Sequence, residues 1–152
     1  MSQSINLVAY ESASDGRIYE TKTELIETAF ISTALLKELK KEFPLVERKI
    51  YEVLGADEHY SIECFNDADI ERILVKLEEM FLSVLKSDSE RLLGKTDFQD
   101  DKNLPSAQST YIKSSDISES ISRFRTLSNI IYIFSLKNSK YSGDNSVVLK
   151  LG

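Results

Sequence analysis

The chain is short of the residues on which most recognisable chemistry depends. It carries one cysteine, Cys64, and one histidine, His59, in 152 residues. A structural zinc site takes four Cys or His ligands, so no metal is expected. A lone cysteine closes no internal disulfide, and its place inside an apolar segment suits a small buried side chain in a reducing cytoplasm. The five glycines are scattered at positions 16, 55, 94, 143 and 152. With no glycine-rich loop before a helix, neither a Walker loop nor a dinucleotide fingerprint exists, and no cofactor is expected. A Gly-x-Ser-x-Gly nucleophile elbow is also missing. The longest unbroken apolar run covers only residues 130–134, against roughly 20 residues needed to cross a bilayer. The first ten residues lack both the basic start and the apolar run of a secretory leader. The expectation is a cytoplasmic protein with no membrane partner.

Positive charge is also in deficit. Lys and Arg total 19 against 25 Asp and Glu, a net charge of −6, which argues against a DNA-coating or acidic-membrane-binding protein because both need a basic surface. No nucleic acid is expected as a partner. Arg123 and Arg125 flank Phe124, but on a helix they point away from it, and the reading is a core phenylalanine between two solvated arginines.

What is present is an ordinary globular composition, 41% hydrophobic and 29% charged with two prolines and no tryptophan. A chain of this length buries roughly 70% of its unfolded surface without staples. Residues 5–10 alternate with a period of two before the Asp15-Gly16 turn, which reads as a strand, and residues 17–20 are too few to decide a second. Thr21 and Glu24 form a capping box, and Leu25, Ala29, Thr33, Leu36 and Leu39 follow at helical spacing until Pro44, predicting a helix. Pro44 suits the start of a second, shorter helix closed by Gly55, with Leu45, Val46, Ile50, Val53 and Leu54 buried.

Residues 58–65 alternate as a strand with one face wetter than the other. Asn66 or Asp67 then caps a long helix whose stripe includes Ile70, Ile73, Leu74, Leu77, Met80, Phe81, Val84 and Leu85. Ser87 and Glu90 make another capping box, predicting a further turn or two before Gly94. Residues 95–115 form a polar loop, mobile, functional or hiding a short strand at 109–113. Ile117, Ile121, Phe124, Leu127, Ile131 and Phe134 step by three and four as a helix, although residues 130–134 also suit a buried strand. Residues 147–151 alternate as a final strand. The fold class is α+β, one domain over residues 1–152, with a small mixed or antiparallel sheet of three to five strands against three to four helices sharing one core.

Two constellations carry candidate chemistry. His59 stands near Ser61, Glu63 and Cys64, where a nucleophile hypothesis would begin. In a strand His59 and Cys64 point to opposite faces, and His59 and Glu63 are about 13 Å apart at roughly 3.3 Å per residue, so no dyad forms within the segment. The second is a charge asymmetry. Between positions 50 and 71 lie Glu52, Asp57, Glu58, Glu63, Asp67, Asp69 and Glu71, with no Lys or Arg. A helix dipole accounts for Asp67, Asp69 and Glu71, and the rest is either a solvated face or a surface for a basic partner. The sequence therefore suggests a non-enzymatic acidic protein, of immunity or inhibitor type, that masks a basic partner protein through Asp57, Glu58, Glu63, Asp67 and Asp69. The alternative is a small enzyme or ligand-binding domain with a site near His59 and the 95–115 loop.

Overall fold

Residues 5–10 put an apolar side chain on both sides of the strand, and the structure shows why. The computed structural model describes residues 2–95 and 114–152. In it β1 (Ser2–Ser12) lies between β2 (Ile18–Ser32) and β5 (Val147–Leu151), antiparallel to both. Ile5 and Leu7 face the helices, while Val8 and Tyr10 face the lumen of a barrel. With β3 (Val46–Tyr51) and β4 (His59–Cys64) the strands close in the order β1-β2-β3-β4-β5. The closure is thin at two places. β2 meets β3, in parallel, at Tyr19 and Tyr51 alone, and β4 meets β5 at Cys64 and Lys150.

Among the described residues three helices cover the barrel: α1 (Thr33–Glu42), α2 (Ile70–Lys95), entered through a 3-10 turn over Asp67–Asp69, and α3 (Ser114–Asn138). Their apolar stripes meet the sheet in one core. Leu36 and Leu39 of α1, Ile73 and Leu77 of α2, and Ile130, Ile133 and Phe134 of α3 pack with Ile5, Leu7, Ala29, Ile31 and Leu149. Burying each of the Leu, Ile and Phe side chains among them contributes about 1.5–3 kcal/mol. Leu74 is buried with them and Ile131 is half-buried against the same core. Further out Phe81 and Phe124, both half-buried, meet edge-on with ring centroids 5.7 Å apart. The α+β architecture, the strands near Ile5, Tyr60 and Val148, the Asn66 cap and the helices over 70–95 and 114–138 match the sequence reading, and residues 130–134 are helical.

Three expectations are corrected. The helix predicted from Thr21 begins only at Thr33, and residues 18–32 are a strand. Ile18, Thr28 and Ile31 are β-branched and pair with Ser12, Asn6 and Gln3 of β1, so the hairpin exploits that preference. Thr21 Oγ1 donates to Glu11 across the hairpin at 2.6 Å instead of capping, and Ser32 Oγ is the true N-cap, accepting from the Leu35 N–H at 3.2 Å. The helix predicted from Pro44 to Gly55 is instead β3 and a turn. Val46 and Ile50 stand four apart, which is one helical turn but also two strand periods, and pairing of Val46 with Cys64 and Ile50 with Tyr60 decides for the strand. Gly55 closes the β3–β4 turn at φ +85°, a conformation that other L-residues rarely adopt. Finally, the Ser87–Glu90 capping box begins nothing, because α2 runs through it. Of the polar loop read over 95–115, Lys95 belongs to α2 and Ser114 and Ser115 to α3. The remainder, with the strand expected at 109–113, lies outside the described residues.

Candidate functional site

The β1–β2 turn and the β3–β4 turn meet at the same end of the barrel, where Tyr19 pairs with Tyr51. Side chains strengthen that thin closure. The Arg17 guanidinium lies 4.4 Å from the centre of the Tyr51 ring, and its Nη1 is 3.1 Å from Asp57 Oδ1. Tyr19 donates to Asp15 Oδ2 at 2.6 Å, a bond that holds the Asp15 carboxyl below and the Tyr19 phenol above their usual ranges. Tyr60 of β4 donates to Glu20 Oε2 of β2 at 2.7 Å, and burial together with that bond pushes its phenol well above 10.

His59 belongs to this cluster. Its ring packs 5.3 Å from that of Tyr51, and its Nδ1 is 2.9 Å from the Asp57 carbonyl oxygen. Among the described residues His59 has no side-chain hydrogen-bond partner, so no nucleophile stands beside it. Cys64 is on the opposite face, fully buried, and burial raises its thiol to about 11. No group of His, Cys, Asp and Glu able to hold a metal occurs among the described residues. An open apolar cleft of about 430 Å³ lies between α1, α2 and α3, lined by Leu35, Met80, Val84 and Leu127, and neither His59 nor any of the predicted acids lines it.

The predicted acidic residues fall into two groups at the two ends of β4. Asp57 and Glu58 precede the strand, whereas Asp67 and Asp69 follow it, about 20 Å away along a six-residue strand at roughly 3.3 Å per residue. Three of them have cations of their own. Asp57 pairs with Arg17, Asp69 with Arg72, and Asp67 Oδ2 lies 3.6 Å from Lys137 Nζ. Glu58 and Glu63 are exposed with no ion-pair partner among the described residues. Glu63 sits directly opposite Glu47 in the β3–β4 ladder, and both are exposed on the outer face. With Glu52 beside the turn, the β3–β4 hairpin presents Glu47, Glu52, Glu58 and Glu63 to solvent. Among the described residues Lys49 is the cation on that outer face.

Glu47 was outside the acidic run read from the sequence because Arg48 and Lys49 follow it. The alternation of residues 46–51, which puts Glu47 on the solvent face, was the available signal. Two buried polar sites were also missed. Lys137, only 3% exposed, donates from Nζ to the Tyr141 and Asp144 carbonyls at 3.2 and 2.7 Å. Asp88 is buried between α2 and α3, where Arg123 Nη2 donates to it at 2.8 Å and Arg91 donates to Ser120 Oγ at 3.1 Å. Arg123 is solvent-exposed, as expected, and at the same time reaches the buried Asp88. The helical step that places Ile130, Ile133 and Phe134 inside also reaches 137, and the one through Leu77, Phe81 and Val84 reaches 88.

Compared with protein families, with curated proteins and with solved structures, the chain matches none. Among the described residues no helix is long and apolar enough to cross a membrane.

Proposed function

We propose that the protein is a non-enzymatic acidic binding protein that masks or regulates a basic partner protein through the outer face of the β3–β4 hairpin. The observation that carries this reading is the Glu47–Glu63 pair. Like charges directly opposite in a ladder destabilise it, and among the described residues neither carboxylate has a cation within ion-pair distance. A cation from a partner would relieve that repulsion. Glu52 and Glu58 extend the field toward the turn, and the net charge of −6 acts in the same direction by steering a basic surface in. Asp57, Asp67 and Asp69 contribute less than their sequence position suggested, since each already faces an internal cation. The cytoplasmic location belongs to the same proposal and rests on the lone, buried Cys64.

The test is a paired capture from a lysate of the source cells at low salt, using the native chain and the Glu58→Lys/Glu63→Lys variant as baits. The expected result is a basic protein held by the first, released as salt rises, and absent from the second. Recovery of the same proteins by both baits would reject the reading.

A further inference from the structure

Val53 and Leu54, which a helix from Pro44 to Gly55 would have buried, stand instead at the tip of the β3–β4 hairpin, 54% and 63% exposed. Turns are ordinarily built from glycine and polar residues. The backbone that carries this aliphatic pair is well tied. The Ala56 N–H donates to the Val53 carbonyl at 3.1 Å, which with Gly55 at φ +85° makes a type II turn whose first corner residue is Leu54. Below it the Glu52 N–H donates to the Glu58 carbonyl at 3.1 Å, and Asp57 is held by Arg17 of the neighbouring turn.

Carboxylates stand on both sides of the pair. Glu52 precedes it and Asp57 and Glu58 follow, all exposed, and among the described residues neither Glu52 nor Glu58 has a cation within ion-pair distance. An apolar centre inside a charged rim is the layout of a protein–protein interface. The sign of the rim selects the occupant. An anionic membrane surface repels it, and a second copy of a chain with net charge −6 brings the same carboxylates. We propose that the β3–β4 turn is the apolar anchor of the interface with the basic partner protein: Leu54 and Val53 enter an apolar pocket on the partner, and Lys or Arg at the pocket rim meets Glu52 and Glu58. This rests on the partner reading above and adds a division of labour to it. The carboxylates steer and orient the partner, whereas the aliphatic pair sets how long it stays. Because the turn is already formed in the free chain, little ordering is lost on binding.

The probe is the basic protein that salt elutes from the native bait, identified by mass spectrometry and purified. Support comes from variants, not from its capture. Surface plasmon resonance at several salt concentrations compares the native chain with Leu54→Asn, with Glu58→Lys/Glu63→Lys and with Leu82→Asn, which alters an α2 leucine of matching exposure, 62%. Leu54→Asn keeps the size of the side chain and the charge of the protein. It is expected to raise Kd at least about tenfold, because apolar surface is no longer buried and an amide is desolvated in its place. The loss appears as faster dissociation with an unchanged salt dependence. The charge variant instead slows association and flattens the salt dependence, and Leu82→Asn binds like the native chain. A Leu54→Asn chain that binds like the native one while the charge variant is impaired would overturn the anchor and leave the partner reading standing. A charge variant that binds like the native chain, or a native bait that yields no basic protein, would reject both. Equal weakening by Leu82→Asn would show a non-specific apolar contact and overturn the anchor. So would flotation of the native chain with phosphatidylcholine/phosphatidylglycerol vesicles, or a native dimer in sedimentation velocity, if Leu54→Asn abolished it. Leu54 is exposed, so urea midpoints of the native chain and Leu54→Asn are expected to agree, which separates lost contact from lost structure.

Discussion

Replacing Lys137 by Met tests whether a buried ammonium pins the connection between α3 and β5. The substitution keeps the length and apolar stem of the side chain and removes its charge. Two charge-assisted hydrogen bonds go with it, to the carbonyls of Tyr141 and Asp144, and Asp67 loses the cation 3.6 Å away. Bonds to charged groups contribute about 1.5–3 kcal/mol each. Relief from desolvating the ammonium offsets part of the loss, which leaves a net cost of about 3 kcal/mol, within the range for breaking a buried charged contact. For a chain of this size that corresponds to a fall in Tm of roughly 6–12 °C. Urea denaturation of both proteins at neutral pH measures it, and a difference under about 0.5 kcal/mol would show that desolvation cancels the bonds. The pH dependence gives a second reading. Burial holds the Lys137 ammonium below the ordinary lysine value of 10.5, with Asp67 and Asp144 opposing. In the window between the depressed value and 10.5 the unfolded chain keeps a proton that the folded chain has shed, so stability from this residue rises with pH there. The gap between native and Lys137→Met proteins should widen on approaching pH 10.5, and a gap that narrows would contradict the direction of the shift.

Phe134 is fully buried and meets Phe65 edge-on with ring centroids 5.0 Å apart, so Phe134→Ala should cost about 3–5 kcal/mol by urea denaturation. A cost under about 1 kcal/mol would mean that the helix–sheet core is not the one described. Cys64 should resist a thiol reagent in the native protein at neutral pH and react once urea unfolds it, because it is fully buried and its thiol is raised to about 11. Rapid native-state modification would place it on the other face of β4.

The α+β class, the strand at residues 59–64, the capped helix that follows it and the C-terminal strand were legible in the sequence because each has a local cause. A period of two over residues 147–151, or an Asn cap ahead of a long apolar stripe, specifies structure within one element. β2 and β3 lacked that property. The Thr21 and Glu24 pattern satisfies a helical capping box as well as an exposed strand, and the four-residue step from Val46 to Ile50 fits both periods. Only pairing with β1 and with β4 removed the ambiguity, since backbone hydrogen bonds between segments distant in sequence leave no local mark. The acidic residues show the same division. Composition and the absence of Lys and Arg between positions 50 and 71 determined that the chain carries an unbalanced acidic stretch. Which carboxylates keep their field was decided by distant cations: Arg17 and Lys137 come from the ends of other elements to Asp57 and Asp67, while strand register sets Glu47 against Glu63. Charge belongs to the sequence, but neutralisation depends on distances of a few ångströms, and the tertiary fold alone sets those.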